Sequence, residues 1–217
     1  VKEAFRLKFG LEIYEGYGTT ETAPVAAVNM PNILEKETLK ELTFNKQGSV
    51  GLPLPGTIIK IVDPESLQEL ATGEDGLILI GGGQVMKGYL NDAEKTADVI
   101  AEINGVRYYK TGDKGHIDEN GFITIVDRYS RFAKVGGEMI SLGSVEEQIA
   151  QVLNDDVQFT AANVPDEKKG EAVVLLVKTE LDINEVVNIL KNSAIPPLMQ
   201  PSFVFKVDEI QKLASGK

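Results

Sequence analysis

The feature that most restricts the fold is a change of hydrophobic rhythm near Gly136, beyond which strand-like runs and helical stripes alternate in short units. Ser144-Val-Glu-Glu147 has capping-box spacing, and Val145, Ile149, Val152 and Leu153 follow on one helical face. Asp182-Ile-Asn-Glu185 repeats the device, with Ile183, Val186, Val187 and Leu190 as the second apolar stripe. Strand candidates lie at Met139 to Ser141, Val157 to Val164, Glu171 to Lys178 and Ser202 to Val207. The order is therefore β-α-β-β-α-β, a split unit in which two helices cover one face of a small sheet.

Upstream the texture is β-rich. Thr57 to Val62 and Leu77 to Ile80 are short β-branched or aliphatic runs, bounded by Pro53, Pro55 and Gly56 on one side and Gly81-Gly82-Gly83 on the other. Asn120-Gly121, between Gly115 to Asp118 and Phe122 to Val126, predicts a hairpin whose tight turn takes positive φ angles. A short helix is expected over Ala93 to Glu102, capped by Asn91 or Asp92, while residues 30–47 fit neither period. The chain thus reads as an α+β protein, with a mostly β segment over residues 1–129 and a compact α/β domain over 130–217.

Composition removes several function classes. With 33 acidic against 22 basic side chains the net charge is −11, which opposes the phosphate neutralisation that dominates nucleic-acid affinity, so no nucleic-acid partner is expected. There is no cysteine, hence no disulfide framework, thiolate zinc site or Cys nucleophile. Apolar runs such as Ala172 to Val177 fall far short of the roughly 20 residues that span a bilayer. The opening Val-Lys-Glu-Ala-Phe-Arg resembles neither an initiator methionine nor a leader, so a piece of a longer protein is expected. His116, the only histidine, has no metal partners or nucleophile beside it and reads as a surface or strand-end residue.

Four clusters can carry chemistry. In Tyr14-Glu-Gly-Tyr-Gly-Thr-Thr-Glu-Thr22, an aromatic between two glycines precedes hydroxyls and a carboxylate. Such a group can set a ring against a base and oxygen ligands toward Mg²⁺ or phosphate; it can equally be a turn with helix capping. Tyr108-Tyr-Lys-Thr-Gly-Asp113 offers a carboxylate either to vicinal hydroxyls or to an Asx turn. Asp127 to Ile140 puts Arg128, Arg131 and Lys134 just before Gly136-Gly137, as a basic surface or a solvated linker. Gln211 to Lys217 ends in an ammonium, either functional or a frayed tail.

Taken together and in this order, Tyr-Gly-Thr-Thr-Glu, Thr-Gly-Asp, the Arg/Lys/Gly-Gly segment and Ala-Ser-Gly-Lys resemble the second half of the adenylate-forming superfamily of acyl-CoA synthetases, luciferases and peptide-synthetase adenylation domains. Arg131-Phe-Ala-Lys-Val-Gly-Gly-Glu-Met-Ile-Ser-Leu142 is most similar to the acyl-acyl-carrier-protein synthetase part of bifunctional 2-acylglycerophosphoethanolamine acyltransferases. The resemblance implies the β-rich end of a large adenylation domain followed by a small mobile one. It also implies that the phosphate loop and fatty-acid pocket precede Tyr17, so the chain alone would be an inactive fragment.

What the resemblance implies chemically is a two-step ligase: a fatty acid attacks the α-phosphorus of ATP, and the acyl-adenylate then passes to a thiol of acyl carrier protein or coenzyme A. Tyr17 would stack on adenine, Gly18, Thr19 and Thr20 would meet nucleotide and phosphate, and Glu21 would hold Mg²⁺. Asp113 and Arg128 would bind the ribose, and Lys217 would bridge the substrate carboxylate and α-phosphate, where a fixed cation stabilises developing charge. Ser130 stands at the hinge, where the family usually has Asp or Lys, and Arg131, Lys134 and Gly137 would face the thiol acceptor. Carrier proteins are acidic, so docking would need the local basic surface of Arg128, Arg131, Lys134 and Lys168-Lys169. A lysophospholipid is the further substrate implied for the parent, on the cytoplasmic side and at the inner membrane through other domains.

Overall fold

The computed structural model describes residues 2–154 and 156–211, so Lys217 lies outside the described residues. It divides into two compact units, Val1–Val126 and Asp127–Lys217; the division expected from sequence falls three residues later.

The first unit opens with α1 (Lys2–Phe9), whose Phe5 and Phe9 rings meet at 4.6 Å. A three-stranded sheet follows in the order β1 (Gly16–Tyr17), β2 (Ala27–Val28), β5 (Leu52–Pro53), with a small ladder of β3 (Ile33–Leu34) and β4 (Glu41–Leu42) in the stretch whose sequence fitted neither period. The main sheet runs β10 (Ile123–Arg128), β9 (Val106–Ile117), β7 (Gly76–Gly82), β6 (Thr57–Val62), and β8 (Ile100–Ile103) also pairs with β9. In β7, Ile78, Leu79 and Ile80 are fully buried. A continuous apolar run suits a strand covered on both faces, and each such side chain contributes about 2 kcal/mol.

Two local expectations are corrected. The helix α2 covers only Ala93–Val99, capped by the Asp92 carboxylate, which accepts the Lys95 amide at 3.0 Å. Residues 100–103 instead form β8, because Asn104 (φ 53°) and Gly105 (φ 74°) make the tight turn that returns the chain into β9. At the predicted Asn120-Gly121 turn only Gly121 has positive φ (84°). There the Asp118 carboxylate shapes the turn by accepting the Asn120 and Phe122 amides, both at 2.9 Å.

In the second unit, β11 (Phe132–Val135) and β12 (Glu138–Ser141) form a hairpin through Gly136 (φ 62°) and Gly137 (φ 93°). The sheet order is β12, β11, β14 (Gly170–Lys178), β13 (Gln158–Asp166), with β15 (Phe203–Lys206) parallel to β14. Strand β11 is an addition to the β-α-β-β-α-β order, formed by part of the stretch with linker character. Helix α3 (Leu142–Ala150) begins one turn earlier than the capping box suggested. Its cap is Ser141, whose hydroxyl accepts the Ser144 amide at 3.1 Å. Helix α4 (Ile183–Lys191) starts where expected, with Asp182 accepting the Asn184 amide at 2.8 Å. Val145, Ile149, Val186 and Leu190 pack with Val173, Leu175 and Val177 of β14 into one core. The α+β class and the helical stripes are as the sequence requires.

Candidate functional site

The Tyr-Gly-Thr-Thr-Glu segment becomes a turn between two short strands. Tyr17 ends β1 opposite Ala27, and Thr20–Thr22 form a single 3-10 turn capped by Thr19. The Thr19 amide donates to Thr22 Oγ1 at 3.1 Å, and Thr22 is fully buried. Gly18 is required by close approach: a Cβ there would lie 1.8 Å from the Pro24 carbonyl oxygen. The result leaves Thr20 exposed and Tyr17 and Glu21 half-buried.

The Thr-Gly-Asp segment arrives at the same place from β9. The Tyr17 hydroxyl donates to Asp113 Oδ2 at 2.5 Å, joining residues 96 apart in the chain. Asp113 is only 4% exposed, and its amide donates at 3.0 Å to the Thr111 hydroxyl, which in turn donates to the Ile78 carbonyl at 2.9 Å. A buried carboxylate needs donors. Here one comes from the aromatic that the sequence marked as a base-stacking residue, so ring and carboxylate share one fixed geometry.

Glu21 is held by a partner the motifs do not contain. The Tyr89 hydroxyl donates to Glu21 Oε1 at 2.7 Å, and the Met86 amide donates to the Glu21 carbonyl at 2.8 Å. Burial pushes the Glu21 carboxyl up, but hydrogen bonds from Tyr89, its own backbone, Thr19 and Tyr109 outweigh this and hold it below the ordinary carboxylate range. The hydrogen bond to Glu21, then burial, pushes the Tyr89 phenol well above its ordinary value, so it remains a donor. No sequence signal connects Tyr89 with Glu21, since the pair is 68 residues apart and Tyr89 sits in no motif.

The donor set suits Mg²⁺ in one specific sense. Among the described residues there is no group of three or more His, Asp or Glu able to cage a metal. Mg²⁺ is normally held by one or two carboxylates together with phosphate oxygens, so an ionised, immobilised Glu21 beside the Thr19 and Thr20 hydroxyls fits an ion shared with a nucleotide.

Arg128, Ser130, Arg131, Lys134 and Gly137 belong to the second unit. Arg128 closes β10, exposed, with its amide donating to Asp127 Oδ1 at 2.7 Å. The other Asp127 oxygen accepts the Ser141 hydroxyl at 2.6 Å and the Gly143 amide at 3.1 Å, pinning this segment to the start of α3. Ser130 is exposed on a 3-10 turn, Tyr129–Arg131. Arg131 donates to Glu146 Oε2 at 2.6 Å, and the other Glu146 oxygen accepts Thr160 Oγ1 and the Ala161 amide, both at 2.9 Å. Lys134, Gly137, Met139, Lys169, Gly170 and Glu171 line an open pocket of about 490 Å³. His116 faces Asp75, Nδ1 to Oδ1 at 2.8 Å, at the surface.

The chain is similar to known proteins in both sequence and fold. Residues 1–90 match the AMP-binding enzyme family. The whole chain is 35% identical to a long-chain-fatty-acid–CoA ligase of Bacillus subtilis, of which it spans 37%. It is 34% identical to 4-coumarate–CoA ligase 1 of Petroselinum crispum, covering all of this chain and 39% of that one. Its fold overlays 99% of the chain on ATP-bound MatB from Rhodopseudomonas palustris, at a TM-score of 0.77, 27% identity and 40% of that chain. The chain spans about two fifths of the length of these relatives; its residues 1–90 belong to the AMP-binding enzyme family, and the whole chain is similar to adenylate-forming acyl-CoA ligases.

Proposed function

We propose that this chain supplies the adenine, ribose and metal contacts of an ATP-dependent fatty acid ligase. The observation that carries the reading is the Tyr17–Asp113 hydrogen bond with Glu21 four residues further on, which brings two separate motifs to one place. The Tyr17 ring stacks on adenine while its hydroxyl holds Asp113, the carboxylate that binds the vicinal ribose hydroxyls. Thr19 and Thr20 hydroxyls meet phosphate and Gly18 lets the backbone approach; the resemblance gives Arg128 a ribose contact as well. Glu21 holds Mg²⁺, which when bound offsets the charge of the phosphates.

In the first half-reaction a fatty-acid carboxylate oxygen attacks the α-phosphorus, the bond to the bridging oxygen breaks, and pyrophosphate leaves. The resemblance gives Lys217 the task of bridging the two anions, where a cation would stabilise the charge that builds up. In the second, a thiol sulfur attacks the acyl carbonyl, AMP leaves, and the thiol proton goes to solvent. Ser130 is the pivot between the two steps. The names of the relatives favour coenzyme A as acceptor. Acyl carrier protein is the second reading, favoured by exposed Lys134 and Lys169 on the pocket with Gly137 and by the resemblance of the Arg131 to Leu142 segment to an acyl-carrier-protein synthetase. That reading extends to a bifunctional parent acting on a lysophospholipid at the inner membrane.

The test is fatty-acid-dependent exchange of labelled pyrophosphate into ATP by this chain and by a longer protein that carries it, each with Lys217→Ala. Exchange only by the longer protein with Lys217 intact supports adenylation shared with upstream residues. Absence of exchange from folded protein of both lengths refutes it. Competition between coenzyme A and acyl carrier protein for the adenylate decides the acceptor.

A further inference from the structure

We propose that Tyr89 is a positioning residue for the metal-binding carboxylate: its hydroxyl fixes the Glu21 side chain in the orientation that captures Mg²⁺ with the nucleotide. The inference rests on the reading of Glu21 given above and extends it to a residue outside every motif.

A glutamate on a one-turn 3-10 segment has several rotatable bonds, and ordering them opposes any ligand that needs one orientation. Tyr89 removes that freedom by donating to Glu21 Oε1 at 2.7 Å. The clamp is itself braced. The Tyr89 amide donates to Thr96 Oγ1 at 2.9 Å, the Thr96 hydroxyl donates to the Asp92 carbonyl at 2.7 Å, and Lys95 Nζ stands 4.8 Å from the centre of the Tyr89 ring. The same segment holds the backbone, since the Met86 amide reaches the Glu21 carbonyl at 2.8 Å. A phenol suits this task because it donates to one carboxylate oxygen without bringing a charge that would compete with the cation. Groups that orient a metal ligand without touching the metal typically govern ten- to a hundredfold of affinity.

The experiment measures binding of a fluorescent ATP analogue to the full 217-residue chain across a Mg²⁺ titration, with Tyr89→Phe, Thr96→Val and Glu21→Gln beside the unaltered protein. Tyr89→Phe keeps the ring and the Lys95 contact and removes only the hydroxyl. The expected result is a rise of about tenfold in the Mg²⁺ needed for half-maximal binding, with full ATP affinity restored at saturating Mg²⁺ and a melting temperature lowered by no more than about 4 °C. Thr96→Val, which loosens Tyr89 at a distance, shifts the midpoint in the same direction by a smaller factor and serves if Tyr89→Phe does not fold. An affinity loss that Mg²⁺ does not restore assigns Tyr89 to structure alone and overturns the proposal. A midpoint that moves in Glu21→Gln but not in Tyr89→Phe overturns it while leaving the reading of Glu21 intact. A midpoint unmoved by Glu21→Gln, or ATP binding absent or indifferent to Mg²⁺, removes the reading and this inference together.

Discussion

Arg131 was marked as an acceptor-side cation, yet its guanidinium is engaged within its own unit, and this has a measurable cost. Glu146 receives three donors, from Arg131, Thr160 and Ala161. Replacing Glu146 by alanine leaves a backbone amide, a hydroxyl and a guanidinium without their acceptor. Hydrogen bonds to charge contribute about 1.5–3 kcal/mol when buried, but side-chain exposures of 24% for Glu146 and 40% for Arg131 call for the smaller values of a solvated pair. The sum is about 2–3 kcal/mol for Glu146→Ala. Arg131→Ala removes only one of the three contacts and costs about 1 kcal/mol. Glu146→Gln keeps an acceptor for Thr160 and Ala161 but turns an amide toward Arg131, at about 1 kcal/mol. For a chain of this length each kcal/mol lowers the melting temperature by about 2–4 °C, so the alanine variant falls by about 5–10 °C. Urea unfolding of the single and double variants gives the Arg131–Glu146 coupling directly, expected at about 0.5–1 kcal/mol. A coupling of zero, or an Arg131→Ala variant as stable as the parent, refutes the structural role and returns Arg131 to the acceptor surface.

Gly18→Ala forces a Cβ to within 1.8 Å of the Pro24 carbonyl, so the turn must open; ATP-analogue binding is expected to disappear with a loss of at least about 2 kcal/mol of stability, read from fluorescence and thermal melts. Asp118 supplies a pH dependence: burial pushes its carboxyl up, but Lys46 and the Phe122 and Asn120 amides pull it lower still, so it ends below its ordinary value of 3.8. Its stabilising contribution is therefore complete above that value and fades as pH falls through the lower folded one, so the stability gap to Asp118→Asn in urea titrations should close on acidification and persist at neutral pH.

Much of the fold was legible because it rests on local periodicity. The stripes Val145 to Leu153 and Ile183 to Leu190 could bury only one face, and Asp182 marked the start of its helix. The misreadings came where two local codes compete. Asn104-Gly105 turned the end of an expected helix into β8, since its residues gain ladder partners in β9 that no helical propensity offers. Ser141 displaced Ser144 as the cap of α3 because Ser141 also donates to Asp127, a contact fourteen residues away.

For the candidate site the division is sharper. The sequence determined which chemical groups are present and in what order: an aromatic, hydroxyls and carboxylates spaced as short motifs whose turn geometry is local. Only the tertiary structure decided which of them meet. Tyr17 reaches Asp113 because the sheet that carries β1 packs on the main sheet through Ala26, Ala27, Ile78 and Ile80, and Glu21 is held by Tyr89 because the segment after β7 bonds to the 3-10 turn through the Met86 amide. It also decided that Arg131 pairs with Glu146. Hydrogen bonds depend on distances of about 3 Å between groups that the chain separates by tens of residues, and no one-dimensional pattern contains those distances.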